Sequence, residues 1–117
     1  MSPRLASILL VALSLAGCAA SGMPTRSQPR GDADQRLSSA EQALARAEAE
    51  LRQQKAATTV NCPLACDLTT TICKLAERIC TLAEQDPAAN LQPRCQDAQQ
   101  RCQRAQQDTA ATCACQH

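Results

Sequence analysis

The stretch of sequence that decides the fold lies between Cys62 and Cys102, and its two cysteine-bearing parts are CPLACDLTTTICKLAERIC (62–80) and CQDAQQRC (95–102). In both parts cysteines recur at an interval of seven residues, which is nearly two turns of an α-helix, or about 10.5 Å along one face. Two antiparallel helices with this spacing can be joined by disulfides at matching positions. The stretch therefore predicts an all-α fold built on a disulfide-linked antiparallel helical hairpin.

The turn between the two helices sets the pairing of the central cysteines. If Cys80 pairs with Cys95 and Cys73 with Cys102, the hairpin is centred within DPAANLQP (86–93), whose prolines and asparagine already predict a chain reversal. A disulfide needs Cα atoms within about 6.8 Å, whereas ordinary helix packing separates helix axes by about 8–10 Å. Small residues in the intervening layers permit the closer approach: Thr69, Ala76, Ala98 and Ala105.

The outer cysteines of this cysteine-rich region, which spans residues 61–117, allow two arrangements. The nested arrangement, Cys66–Cys113 with Cys62–Cys115, suits antiparallel chains and is the one we predict. The crossed arrangement, Cys62–Cys113 with Cys66–Cys115, puts the first pair on register but leaves the second six residues out of register. An even number of cysteines in an exported chain is typical of a disulfide framework, in which each bridge contributes about 2–4 kcal/mol.

Residues 36–57 predict an amphipathic helix ahead of the hairpin. Their apolar positions alternate at intervals of three and four, which is the pattern of a coiled-coil seam: Leu37, Ala40, Leu44, Ala47, Leu51 and Gln54. Alanine or glutamine occupies half of the seam positions (Ala40, Ala47 and Gln54), so the seam is weak as a zipper. We therefore favour a helix that packs within its own domain over an oligomerising coiled coil, which would give self-association through this helix.

A second apolar stripe on the middle helix requires a cover. It lies about 115° around the helix from the cysteine face and consists of Leu68, Ile72, Leu75, Ile79 and Leu82. The first helix matches this stripe if the chain reverses within TTVNCP (58–63), where Asn61 or Cys62 can cap a helix and Pro63 suits its first turn. The sequence thus predicts a three-helix arrangement. In the alternative, the first helix continues in line and leaves the stripe to a partner protein.

The N-terminal residues 1–17, MSPRLASILLVALSLAG, predict a signal peptide, because Arg4 precedes an apolar run too short to span a bilayer. The run ends in LAGC (15–18), which resembles the lipobox of bacterial lipoproteins. The resemblance implies cleavage before Cys18 and lipid attachment to its thiol, with acyl chains such as palmitate. Ala rather than Asp at position 19 implies delivery to the outer membrane, where the protein would face the periplasm. Two or three acyl chains make a permanent anchor, so the membrane is a predicted partner.

Residues 18–35 combine Gly, Pro, Ser and mixed charge, and they cannot bury an apolar face. They predict a lipidated N-terminus followed by a flexible tether.

The composition argues against several classes of function. The chain has no Phe, Tyr or Trp and a formal net charge of +1, whereas nucleic-acid binding needs a basic surface or stacking aromatics. A single histidine, His117, gives no Ser/His/Asp set. We therefore expect no catalytic activity and no cofactor, and we expect a structural or adaptor role toward another envelope protein.

Metal binding is the alternative hypothesis. Cys62 and Cys66, with Cys113, Cys115 and His117, could offer four thiolates and an imidazole to zinc or copper(I). The predicted helical bundle of this chain, with cysteines along its helices, resembles the bacterial copper-storage proteins. We favour disulfides, because thiolates in an oxidising envelope tend to pair and the seven-residue spacing accounts for five of the eight cysteines without a metal.

Overall fold

The computed structural model of the protein describes residues 29–116, so that the predicted signal peptide, Cys18 and His117 lie outside the described residues. The described part is helical and contains no strand. Its elements, in chain order, are α1 (Pro29–Ala56), α2 (Cys62–Gln85), a short 3-10 helix (Pro87–Ala89) and α3 (Gln92–Ala110). The predicted all-α, three-helix architecture is confirmed.

Helix α2 lies between the other two helices and packs against both. Its Leu/Ile stripe faces α1, and its cysteine face is bonded to α3. Because this one helix serves two interfaces, its Leu/Ile stripe is mostly buried and its cysteines are half-buried, whereas the sectors between the two faces are exposed.

The apolar core lies between α1 and α2. Its largest fully buried side chains are Leu37 and Leu44 of α1 and Ile72 and Ile79 of α2. The seam predicted for the first helix is therefore buried within one chain, so α1 folds back onto α2 and does not continue in line. Leu75 differs from the prediction, because it is only half-buried and borders an open groove beside α1.

Helix α1 begins seven residues earlier than predicted. The prediction of a tether over 18–35 is wrong for residues 29–35, which are helical. Ala33 is buried and extends the apolar seam by one turn, and Asp34 forms an ion pair with Arg94 of α3. Proline is well suited to the first turn of a helix, so Pro29 does not oppose this start.

The two chain reversals have the predicted chemistry. Asn61 caps α2, and its side-chain oxygen accepts a hydrogen bond from the Leu64 amide at 3.1 Å. After α2 the chain makes the short 3-10 turn and passes through Asn90, whose φ of 51° lies in the left-handed region. Asparagine tolerates this region better than most residues, which favours the reversal at this point.

Truncation of Leu44 tests whether α1 packs on α2. We expect Leu44→Ala to lower the free energy of unfolding by about 2–5 kcal/mol, because it leaves a cavity in the core. Urea unfolding of the oxidised protein, followed by circular dichroism, measures this loss. Gln42→Ala changes an exposed position of the same helix and serves as the control. Equal midpoints for the two variants would contradict the packing of α1 on α2.

Candidate functional site

The central bridges of the hairpin, Cys80–Cys95 and Cys73–Cys102, are those predicted from the seven-residue spacing. Their Cα atoms are 4.5 Å and 4.7 Å apart, which brings α2 and α3 closer than helices without cross-links. Ala76, Ala98 and Ala105 are all buried, and Ala76 and Ala98 fill the layer between the two bridges. The predicted match between cysteines and small residues is therefore confirmed.

The outer bridges are Cys62–Cys113 and Cys66–Cys115, with Cα separations of 5.4 Å and 5.6 Å. The predicted nested pairs, Cys66–Cys113 and Cys62–Cys115, are wrong, and the crossed alternative is the one observed.

The end of α3 explains the crossed pairing. The helix ends at Ala110, and the Cys113 amide still donates a hydrogen bond to the Thr109 carbonyl at 2.7 Å. This contact keeps Cys113 on register with Cys62. The chain then reverses, because Cys115 bonds to Cys66, which lies one turn further along α2. The nested prediction assumed that the chain continues beyond the helix without this reversal.

A buried pair of threonines lies next to the outer bridges. Thr69 donates a hydrogen bond to the Ala65 carbonyl at 2.9 Å, and its oxygen lies 2.8 Å from the hydroxyl of Thr109. Because the Thr69 proton is already used, Thr109 donates in this second bond. The register of the central bridges places Thr69 near Ala105, one turn from Thr109, so the sequence does not predict the contact with Thr109. The only sign of this contact in the sequence is the presence of a threonine on each of two helices that carry paired cysteines.

A row of ion pairs connects α1 to α3. It consists of Glu41–Arg94, Glu48–Arg101 and Lys55–Asp108. The members recur every seven residues on each helix, and each pair is separated by the same 53 residues of sequence. Since the numbers rise together on both helices, α1 and α3 are parallel, and each is antiparallel to α2. The sequence pattern alone does not predict these pairs.

The two arginine pairs have favourable geometry. Nε and Nη2 of Arg101 donate to the two carboxylate oxygens of Glu48 at 2.7 Å and 2.8 Å, and Arg94 holds Glu41 in the same way at 2.8 Å and 2.7 Å. Hydrogen bonds to Glu41 and to Glu48 raise the pKa values of Arg94 and Arg101 above their ordinary range. Such two-point contacts specify orientation as well as attraction. They set the register of α1 against the hairpin.

A polar groove follows the outer side of the α2–α3 interface. Glu77 and Glu84 lie along its α2 rim, Gln99 and Gln103 lie along its α3 rim, and the central bridges form part of its floor. Neither glutamate makes an ion pair with any described residue. The groove therefore presents free carboxylate and amide groups on a covalently stiffened surface.

All eight cysteines of the cysteine-rich region are bonded in pairs. Within residues 29–116 no group of three or more His, Cys, Asp and Glu side chains is arranged to hold a metal ion. No helix of the same range is both long enough and apolar enough to cross a membrane.

Comparison of the chain with protein-family models, with curated proteins and with solved structures gives no match.

Mapping of the disulfides tests the crossed arrangement. We expect digestion at acidic pH without reduction, followed by electron-transfer fragmentation, to join Cys62 to Cys113 and Cys66 to Cys115. Acidic conditions suppress thiolate attack and so preserve the native pairs. The central bridges provide the internal control, because both candidate arrangements share them. Peptides that join Cys62 to Cys115 would contradict the reversal after Cys113.

Neutralisation of Glu48 tests the ion-pair row. We expect Glu48→Gln to lower the free energy of unfolding by about 1 kcal/mol at low ionic strength, and by less in concentrated salt, because the pair is partly exposed to screening. Salt-dependent urea unfolding measures both effects. The control is Glu50→Gln, at an exposed position of α1 that makes no ion pair with the described residues. Identical behaviour of the two variants would contradict a contribution from the row.

Proposed function

We propose that the protein is a lipid-anchored lipoprotein of the bacterial envelope, held in the outer membrane through Cys18 and facing the periplasm. In this proposal it acts as a structural or adaptor protein without catalytic activity. The observation that carries the proposal is the distribution of the nine cysteines: eight form four internal bridges, and the ninth follows Leu15-Ala16-Gly17.

Cys18 has no cysteine partner among the eight cysteines downstream of it. Since the eight downstream cysteines bond to one another, none of them is available to bond Cys18. In a secreted chain an odd cysteine indicates an intermolecular bond or another use of the thiol. Attachment of a lipid is the use that the resemblance of LAGC to the lipobox implies.

The bridges also support an envelope location. Disulfides persist in oxidising compartments such as the periplasm and are rare in the cytosol, where thiols are kept reduced. A small chain without aromatic residues has a limited apolar core, and bridges of this kind stabilise such domains.

An anchor at Cys18 would place the start of α1 nearest the membrane. Helix α1 begins at Pro29, so residues 19–28 span at most about 35 Å from Cys18. The start of α1 lies beside the start of α3, as the Asp34–Arg94 pair shows, and the outer bridges lie about 40 Å away at the other end of α1. In the proposed orientation, the outer bridges point away from the lipid surface.

The adaptor role follows from stiffness combined with surface chemistry. Two bridges join α2 to α3, two more join α2 to the segment that follows α3, and α1 is held by an apolar seam and by ion pairs to α3. A rigid surface loses little conformational entropy when it binds a partner. The groove bordered by Glu77 and Glu84 is the surface we assign to an envelope protein partner.

Metabolic labelling tests the anchor. We expect an alkyne-tagged fatty acid to label the wild-type protein in bacteria and to leave Cys18→Ser unlabelled, because only Cys18 follows the lipobox. Fluorescence after conjugation to a dye, measured on the immunoprecipitated protein, gives the readout. Cys115→Ser serves as the matched control, since it also removes one cysteine but leaves LAGC intact. Equal labelling of wild type and Cys18→Ser would refute the anchor.

A further inference from the structure

We propose that the end of the domain carrying the outer bridges forms a binding site for a soft metal ion, such as Zn²⁺ or Cu⁺, when a dithiol reductant opens those two bridges. We define this end as the tip, residues 56–66 and 109–116. The proposal goes beyond the anchor and the adaptor role, and it does not depend on either of them.

Four cysteines converge at the tip. Cys62 and Cys66 are four residues apart on α2, which places them on one helix face about 6 Å from each other. Their bonded partners, Cys113 and Cys115, are two residues apart in a non-helical segment, and their Cα atoms lie 5.4 Å and 5.6 Å across from them. Four sulfurs at one end of the bundle match the ligand set of a tetrahedral thiolate site.

The central bridges cannot form such a site. Zn–S bonds of about 2.3 Å place any two sulfurs of a tetrahedral site about 3.8 Å apart. Cys73 and Cys80 are seven residues apart on α2, and so are Cys95 and Cys102 on α3, which separates the two bridges by about 10.5 Å along the helices. The tip is therefore the only place among the described residues where four cysteines can share one ion.

The sequence of the tip is uncharged. Residues 56–66 and 109–116 contain no Asp, Glu, Lys or Arg. No carboxylate within these segments competes with sulfur, and no cationic side chain there opposes the approach of a metal ion. A divalent ion with four thiolates carries a net charge of −2, and the N-terminus of α2 at Cys62 supplies the positive end of a helix dipole.

The tip can open while the hairpin stays joined. Once Cys62–Cys113 is closed, Cys66–Cys115 closes only a short additional ring, and short rings restrict the unfolded chain least. The two central bridges still hold α2 to α3 after both outer bridges open. Opening of the tip is thus a local event.

The chemical step balances with a dithiol as the reductant. Each outer bridge takes two electrons and two protons from one dithiol, which becomes a disulfide, and the two bridges together yield four thiols. A divalent ion then displaces four protons and forms four metal–sulfur bonds. Oxidation of the four thiols by a disulfide donor reverses the sequence and releases the metal.

Titration with Cd²⁺ tests the site in the full chain carrying Cys18→Ser, which removes the ninth sulfur. After reduction with two equivalents of a dithiol per chain, which is enough to open two bridges, and removal of the reductant without oxygen, the sulfur-to-cadmium absorption in the ultraviolet reports the number of thiolates bound. We expect one high-affinity Cd²⁺ per chain, bound by four thiolates, and competition by Zn²⁺. The oxidised protein should bind no Cd²⁺ in this way.

Two variants with three bridges each provide the matched comparison. Cys66→Ser/Cys115→Ser removes two of the four tip sulfurs, and we expect it to weaken Cd²⁺ binding by more than about 100-fold. Cys80→Ser/Cys95→Ser removes a central bridge and should retain the affinity of the parent chain. Circular dichroism of both oxidised variants checks that they are equally folded. Equal affinities for the two variants, or no high-affinity Cd²⁺ in the reduced parent chain, would overturn the proposal.

Discussion

The fold depends on the close covalent approach of α2 and α3. Central bridges that hold Cα atoms 4.5 Å and 4.7 Å apart leave no room for large side chains between the helices. The interface is consequently built from cysteine, alanine and threonine, and it buries little apolar surface. The large aliphatic side chains must be buried elsewhere, which is why the Leu/Ile stripe lies on another face of α2 and why α1 is needed to cover it.

Different kinds of contact hold the three helices together. Covalent bonds fix α3 to α2, whereas α1 is held only by non-covalent contacts: an apolar seam against α2 and a row of ion pairs with α3. The seam alone allows slippage by one heptad, because leucine and alanine alternate along it. The arginine pairs distinguish the registers, because a shift would place Arg101 beside Glu41 or Lys55 and would leave one end of the row unmatched.

The two ends of the domain differ in chemistry. Near the start of α1 the described surface carries carboxylates and arginines, such as Asp34, Glu41 and Arg94. The tip has no ionisable acid or base within 56–66 and 109–116, and it contains the outer bridges. With an anchor at Cys18, as proposed, the charged end would lie toward the lipid and the sulfur-rich end would be exposed to redox partners and metal ions. The central bridges then stiffen the hairpin, and the outer bridges at the tip are the ones proposed to react and to bind a metal ion.

The sequence by itself determined whatever depends on periodicity within one helix. The central bridges and the turn could be predicted from the seven-residue spacing of the cysteines, the alanines between them and the prolines at 87 and 93. In a regular helix the spacing of residues in the sequence fixes their position along the helix. The recurrence of leucine every seven residues, at Leu37, Leu44 and Leu51, was enough to predict the apolar seam of α1. Tertiary structure alone decided the crossed outer bridges, since the chain leaves the helix after Ala110 and no periodic rule describes its reversal. It also decided the early start of α1 and the parallel ion pairs, because these contacts join residues about 53–60 positions apart, whose proximity exists only after both flanking helices have packed against α2.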